Sequence, residues 1–328
     1  MYMEKFENEV EAANALYEKF ESLKKEIGKV IVGQEDVIRL VISSFFCHSH
    51  SLLVGVPGLA KTLLINTVAS AMNLKFNRIQ FTPDLMPSDI IGAETLDKDR
   101  NFKFIKGPIF NNIILADEIN RTPPKTQAAL LESMQEKNVT VAGETYTLPN
   151  PFFVLATQNP IEQEGTYPLP EAQLDRFMFN ITLDYPSYED ELNIVRNSGQ
   201  EIDKVEAVIT SEEILFFQQL VNKVPVTDNV VEFAVKLVHS TRPHTEKASY
   251  LTNQYLEWGA GPRASQFLIK GAKCNALLNG KYSPDIEDVK AVAIPVLRHR
   301  LVKNFKADAE GLSIEKIIEE LIGKIENS

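Results

Sequence analysis

Residues 51–62 read Ser-Leu-Leu-Val-Gly-Val-Pro-Gly-Leu-Ala-Lys-Thr, an apolar run that breaks at Gly55, Pro57 and Gly58 and reaches Lys61 and Thr62 at the head of a helix-forming stretch. Such a segment suits a phosphate. With no side chains at Gly55 and Gly58, the backbone can turn tightly, aim its N–H groups inward and let anionic oxygens approach. Lys61 would pair with terminal phosphates and Thr62 would offer its hydroxyl to Mg²⁺. The helix from Leu63 to Met72 would turn its positive end toward the anion. The pattern G-x-x-x-x-G-K-[ST] fails at one place, where Ala60 stands for the second glycine. An ordinary strand-turn-helix with a surface lysine is the plain alternative at this point.

A second apolar run, Ile113-Ile-Leu-Ala, ends in Asp117 and Glu118, 56 residues after Lys61 (117 − 61). A strand buried in a sheet delivers its last residues to the carboxyl edge, where a phosphate loop also opens. Asp117 could there reach the Mg²⁺ held by Thr62, and Glu118 is left as a general base for water; a helix-start signal is the alternative reading of two adjacent carboxylates. A third run, Phe152 to Thr157, ends in Gln158-Asn159-Pro160. An amide there can bond both a γ-phosphate and an attacking water without ionising; otherwise it marks an Asn-Pro turn. Arg176, in Leu174-Asp-Arg-Phe177, precedes the last apolar run, and Arg263 opens a later helix after Gly261-Pro262. Either guanidinium could stabilise transferring phosphate charge. Arg176 could instead pair with Asp175 or Glu171, and Arg263 could simply face solvent.

Those residues need a scaffold. Short apolar runs Ser51–Val54, Phe76–Phe81, Ile113–Ala116, Phe152–Thr157 and Phe177–Leu183 alternate with helical stretches, which predicts an α/β unit with a five-stranded, mostly parallel sheet covered by helices. Glu7 to Ile27 predicts an amphipathic helix, so that residues 1–28 precede a core over 29–184. After Tyr185-Pro186-Ser187 the pattern becomes helical throughout, at Glu189–Asn197, Ser211–Val221, Asn229–Ser240, Arg263–Leu278 and Ile286–Arg300. Residues 185–328 therefore read as a small all-helical domain without strands. Two segments interrupt the core. Residues 84–108 read as a short helix plus a hairpin with the charged turn Asp97-Lys-Asp-Arg-Asn101, and residues 138–149 as a hairpin around Gly143. Both are either surface ribbons or contacts for a substrate or a neighbouring subunit.

A net charge of −11 disfavours functions that grip nucleic-acid phosphates. Cys47 and Cys274 stand far apart and no zinc-type cluster appears, so a reducing compartment is expected and a structural metal is not. His48 and His50 read as solvated or packed rather than as ligands. Without a secretion-type start or a membrane-length apolar run, the chain is expected in the cytoplasm, with no membrane insertion.

Taken together, Gly55-Val-Pro-Gly-Leu-Ala-Lys-Thr62, Gln80-Phe-Thr-Pro-Asp-Leu-Met-Pro-Ser-Asp-Ile90, Leu115-Ala-Asp-Glu-Ile-Asn-Arg-Thr-Pro-Pro-Lys125, Leu155-Ala-Thr-Gln-Asn-Pro-Ile-Glu-Gln-Glu-Gly165 and Pro170-Glu-Ala-Gln-Leu-Asp-Arg-Phe177 resemble the MoxR-type AAA+ ATPases. The likeness runs from Ile31 to the C-terminal helices. It implies an ATP- and Mg²⁺-dependent core with a helical lid and a homo-oligomeric, usually hexameric ring. It also implies chaperone-like or metal-centre maturation of clients, and association with proteins carrying von Willebrand A domains. In that frame Gly55, Val56, Pro57, Gly58, Leu59, Ala60, Lys61, Thr62 and Leu63 form the Walker A loop and helix start, and Asp117 and Glu118 the Walker B pair. Asn159 matches sensor 1, Arg176 the arginine finger and Arg263 sensor 2, while Val32 and Gly33 match the backbone that meets adenine. The two interrupting segments match the helix-2 insert and the pre-sensor-1 hairpin. The family also uses alanine at position 60, which is expected to keep a negative φ because alanine resists the left-handed region. A nucleic-acid motor and a nucleotide-switched binding module are the competing readings. The hairpin tip Ala142-Gly143-Glu144 carries no cation for the former.

Overall fold

Ile113-Ile-Leu-Ala-Asp117 has no polar residue before its last position, as a strand covered on both faces requires. In the computed structural model its first four residues are buried. The structure describes residues 6, 8–96, 98–99, 101–162, 164–197 and 204–326. In chain order, α1 (Glu9–Gly28) and α2 (Glu35–Phe46) lead to β1 (His50–Gly55), α3 (Lys61–Ala71) and β2 (Phe76–Gln80). Then come α4 (Pro87–Ile91), β3 (Gly92–Leu96), β4 (Phe102–Lys106), β5 (Ile113–Asp117), α5 (Pro124–Glu136), β6 (Asn138–Val141), β7 (Glu144–Thr147) and β8 (Phe153–Gln158). The remainder is α6 (Glu171–Leu174), β9 (Phe177–Leu183), α7 (Tyr188–Arg196), α8 (Ser211–Lys223), α9 (Asp228–Ser240), α10 (Tyr250–Tyr255), β10 (Leu256–Trp258), α11 (Pro262–Leu278), α12 (Ile286–Leu297), β11 (Val302–Lys303), α13 (Phe305–Ala309) and α14 (Ile314–Glu326).

The five expected strands form one sheet in the order β2-β5-β8-β1-β9. Its β2–β5, β5–β8 and β1–β8 pairs are parallel. Because β1 is flanked by strands distant in sequence, its loop and the ends of β5 and β8 emerge at the same carboxyl edge. Phe45 of α2 stacks on Phe153 of β8 with ring centroids 4.0 Å apart, seating that helix on the sheet. His50 is a packed histidine, its Nδ1 accepting from the Val154 N–H at 3.0 Å.

The first inserted segment is a short helix and an antiparallel hairpin, α4 with β3 and β4, as its sequence predicts. Within the charged turn, Asp97 and Arg100 lie outside the described residues. The second is the hairpin β6–β7, turned by Ala142 (φ 51°) and Gly143 (φ 87°). Two central residues with positive φ give the turn whose twist suits a two-residue hairpin. The ring of Phe104 stacks on Tyr146 at 4.1 Å, an unforeseen contact that joins the two inserts.

By internal contacts the chain divides into two compact units, residues 19–170 with 181–215, and residues 1–18 with 171–180 and 216–328. The second is mainly helical, yet the expectation of no strands there is corrected by the short antiparallel pair β10–β11. Two and three residues carry too little alternation to announce a strand. Helix α14 lies beyond the helices that the sequence pattern predicts and buries Ile317, Ile318 and Leu321 on one face. Among the described residues no helix is long and apolar enough to cross a membrane.

Candidate active site

The loop after β1 is built on two glycines with different duties. A Cβ at Gly55 would lie 2.7 Å from the Leu183 Cβ, so this position needs glycine for close packing. Gly58 has open space but φ +87°, a conformation that costs other residues. Ala60 corrects the expectation: its φ is 54° and ψ 27°, in the left-handed region. The chain must reverse immediately before Lys61 starts α3, and this reversal is what the usual glycine supplies. Alanine adopts it at a cost of about 1–2 kcal/mol. The loop sits at the head of α3, which starts at Lys61. Lys61 folds back so that Nζ donates to the Gly55 carbonyl. Burial holds the Lys61 ammonium below the ordinary lysine range, while the carboxylates of Asp117 and Glu118 partly oppose that shift. Thr62 is half-buried in the first turn of the same helix.

One hydroxyl ties the Asp117 carboxylate to the Glu118 main chain. Thr157 Oγ1 donates to Asp117 Oδ1 at 2.6 Å and accepts from the Glu118 N–H at 2.8 Å. Glu118 itself has φ 57°, which turns the chain off β5 into a single 3₁₀ turn. The other oxygen, Asp117 Oδ2, accepts from Arg78 Nε at 2.9 Å and Nη2 at 2.6 Å. Glu118 Oε2 accepts from Gln80 Nε2 at 3.0 Å and Arg121 Nη1 at 3.1 Å. Arg78, Gln80, Arg121 and Thr157 were not singled out in the sequence. Arg78 and Gln80 stand two apart on β2, so they share one side of the strand, and that period was the available signal.

Asn159 lies one residue past β8, on the strand between the loop-bearing β1 and the acidic β5. Val54 pairs with Gln158, which sets Gly55 and Asn159 one step beyond at the same edge. Its side chain is buried; Oδ1 accepts from the Ile161 N–H at 3.1 Å, but Nδ2 has no hydrogen-bond partner. An unpaired buried donor is costly, and functional sites are where such costs are tolerated.

Beside the loop, Ile31, Val32, Leu59, Leu63, Pro186 and Ile194 help to line a mostly apolar cavity of about 190 Å³. Gly33, with φ +70°, has the Asp190 carboxylate where a Cβ would stand, 2.7 Å from its Oδ2. Val56 and Pro57 complete the loop between Gly55 and Gly58. Arg176 and Arg263 belong to the other compact unit. There Arg263 Nη1 reaches Asp175 Oδ2 at 3.3 Å, so it is not simply solvated.

Comparison with known proteins gives a consistent result. Residues 50–179 match the ATPase family associated with various cellular activities (AAA), and residues 248–321 match the AAA lid domain. The chain is 41% identical over 304 residues to the uncharacterized protein YeaC of Bacillus subtilis, covering 92% of each. It is also 41% identical over 298 residues to Chaperone MoxR1 of Mycobacterium tuberculosis, covering 90% of this chain and 79% of that one. A crystal structure of a candidate ATPase from Cytophaga hutchinsonii superposes with a TM-score of 0.90 at 45% identity, covering 96% of each chain.

Proposed function

The chain belongs to the MoxR family of AAA+ ATPases, and on that premise we propose that it hydrolyses ATP at sites shared between neighbouring subunits of a homo-oligomeric ring, a hexamer by family habit. The turnover would drive chaperone-like remodelling, maturation or metal-centre assembly of client proteins. Supporting the reading is one observation above others: the Thr157 hydroxyl of β8 donates to the Asp117 carboxylate and accepts from the Glu118 N–H, fixing the acidic end of β5 beside Asn159's strand.

The donor set suits a triphosphate and a divalent ion. Lys61 and the N–H groups of Gly55, Val56, Gly58, Leu59 and Ala60 would offer positive potential to the β- and γ-phosphates, and α3 would add its N-terminal field. Leu63 and Val32 line the apolar cavity that would take adenine, and Gly33 follows Val32 in the chain. Thr62 and Asp117 would hold Mg²⁺, which would neutralise charge developing on the phosphate oxygens. Glu118 would accept a proton from water, after loosening its bond to Gln80 or Arg121. The unpartnered Asn159 Nδ2 is a ready donor to a γ-phosphate or the water. Arg263 would answer the subunit's own nucleotide and Arg176 the neighbour's, so turnover depends on assembly.

Glu118→Gln tests this: it should bind ATP as tightly as the wild type and turn it over at least about 10²-fold more slowly. Full turnover in that variant would remove Glu118 as the base. Among partners, a von Willebrand A protein is the family-based expectation, and capture on ATP-loaded Glu118→Gln without one would count against it. A nucleic-acid partner is not proposed, because the tip of β6–β7 presents Glu144 rather than a cation.

A further inference from the structure

In the helical unit, a single carboxylate is shared by two arginines. Asp175 Oδ1 accepts from Arg300 Nε at 2.7 Å, and Asp175 Oδ2 accepts from Arg263 Nη1 at 3.3 Å. Arg300 is buried, with 2% of its side chain exposed, whereas Arg263 is 43% exposed. The guanidinium of Arg300 does more than neutralise Asp175. Its Nη2 donates to the Asp175 carbonyl at 3.0 Å and to the Phe177 carbonyl at 2.7 Å, gripping the main chain on both sides of Arg176. Nη1 adds the carbonyls of Met178, at 3.3 Å, and Val296, and the plane lies over the Phe267 ring at 5.0 Å. Burial lowers Arg300 to about 10, which leaves it charged at neutral pH.

We infer that Asp175 and Arg300 are positioning residues that tie Arg263 to the segment carrying Arg176, so that the arginine answering a subunit's own nucleotide is held by the carboxylate one residue before the arginine serving its neighbour. The inference rests on the proposed roles of Arg263 and Arg176. Its physics is competition: a γ-phosphate can recruit Arg263 only by drawing it from Asp175, and once Arg263 leaves, Asp175 answers to Arg300 alone. ATP, and not ADP, would therefore alter the charge balance beside Arg176. Five donations from a buried planar fork leave Arg300 no freedom to follow, which makes Arg263 the partner that moves.

The experiment compares ATP and ADP affinity with turnover in Asp175→Asn. Freed from its competitor, Arg263 should bind the γ-phosphate better. ATP affinity then rises about two- to fivefold, the range expected for a half-exposed ion pair. ADP affinity stays level, and kcat falls because the Arg176 segment is held less firmly. A merely structural defect would weaken both nucleotides together. Should Asp175→Asn fail to fold with Arg300 left unpaired, Asp175→Asn/Arg300→Met removes both charges of the pair and is read the same way. An unchanged ATP-to-ADP affinity ratio in a variant that folds overturns the inference while leaving the proposed function intact. Absence of ATP hydrolysis by the wild-type assembly overturns the proposed function itself.

Discussion

Arg78 Nη2 lies 2.6 Å from Asp117 Oδ2, and Arg78 Nε lies 2.9 Å from the same oxygen. The pair joins the edge strand β2 to the carboxylate proposed to hold Mg²⁺, so Arg78 and the cation would compete for its charge. Arg78 is 46% exposed, so its grip is modest. Arg78→Gln should accordingly lower the Mg²⁺ concentration that half-saturates ATP binding by about two- to fivefold. A titration of nucleotide binding with Mg²⁺ reads this, and a raised requirement would show that Arg78 helps the site rather than competing with it.

Ala60 makes the loop costlier than its glycine counterpart. With φ 54° at this position, Ala60→Gly should relieve the strain, less the extra entropy of glycine in the unfolded chain. The net gain of about 0.5–1 kcal/mol corresponds to a rise in Tm of about 1–3 °C for a chain of this size. Thermal unfolding of the two proteins decides it, and a lower Tm in the variant would mean that Ala60 is not strained.

Much of this site was legible because its residues terminate apolar runs. Asp117, Glu118 and Asn159 follow β5 and β8, and a buried parallel strand announces itself by uninterrupted hydrophobicity. Partners that arrive across the sheet are a different matter. Arg78 sits next to Asp117 only because β2 pairs with β5, two strands separated in sequence by an insert, and nothing local to Phe76–Gln80 encodes that neighbour. Arg300 is hidden for the same reason, being 125 residues from the Asp175 it clamps. Side-chain preference alone assigns Ala60 a negative φ, and the reversal that a helix starting at Lys61 imposes overrides it.

Lys61 gives the site a pH signature. Burial disfavours its charged form, so the free protein loses the Lys61 proton at lower pH than a solvated lysine, which titrates near about 10.4. ATP affinity should fall as pH rises through this lowered pKa, since the neutral amine offers phosphate no charge. The Glu118 carboxylate raises the Lys61 pKa, so Glu118→Gln should move this alkaline limb to still lower pH. Binding of a fluorescent ATP analogue across the alkaline range measures it; a limb that moves upward, or stays put, contradicts the assignment.

The central claim is that each ATP is hydrolysed by two subunits, and complementation tests it most directly. Lys61→Ala lacks the lysine proposed to bind phosphate, Arg176→Ala lacks the cation proposed to serve the neighbour, and each alone should be nearly inactive. Mixed in equal amounts and allowed to exchange, about one quarter of the interfaces of a closed ring pair an intact Lys61 with an intact Arg176. The account predicts ATPase activity recovering toward about that fraction of wild type. A mixture no more active than its two components, or full-rate hydrolysis by monomers at high dilution, would contradict it.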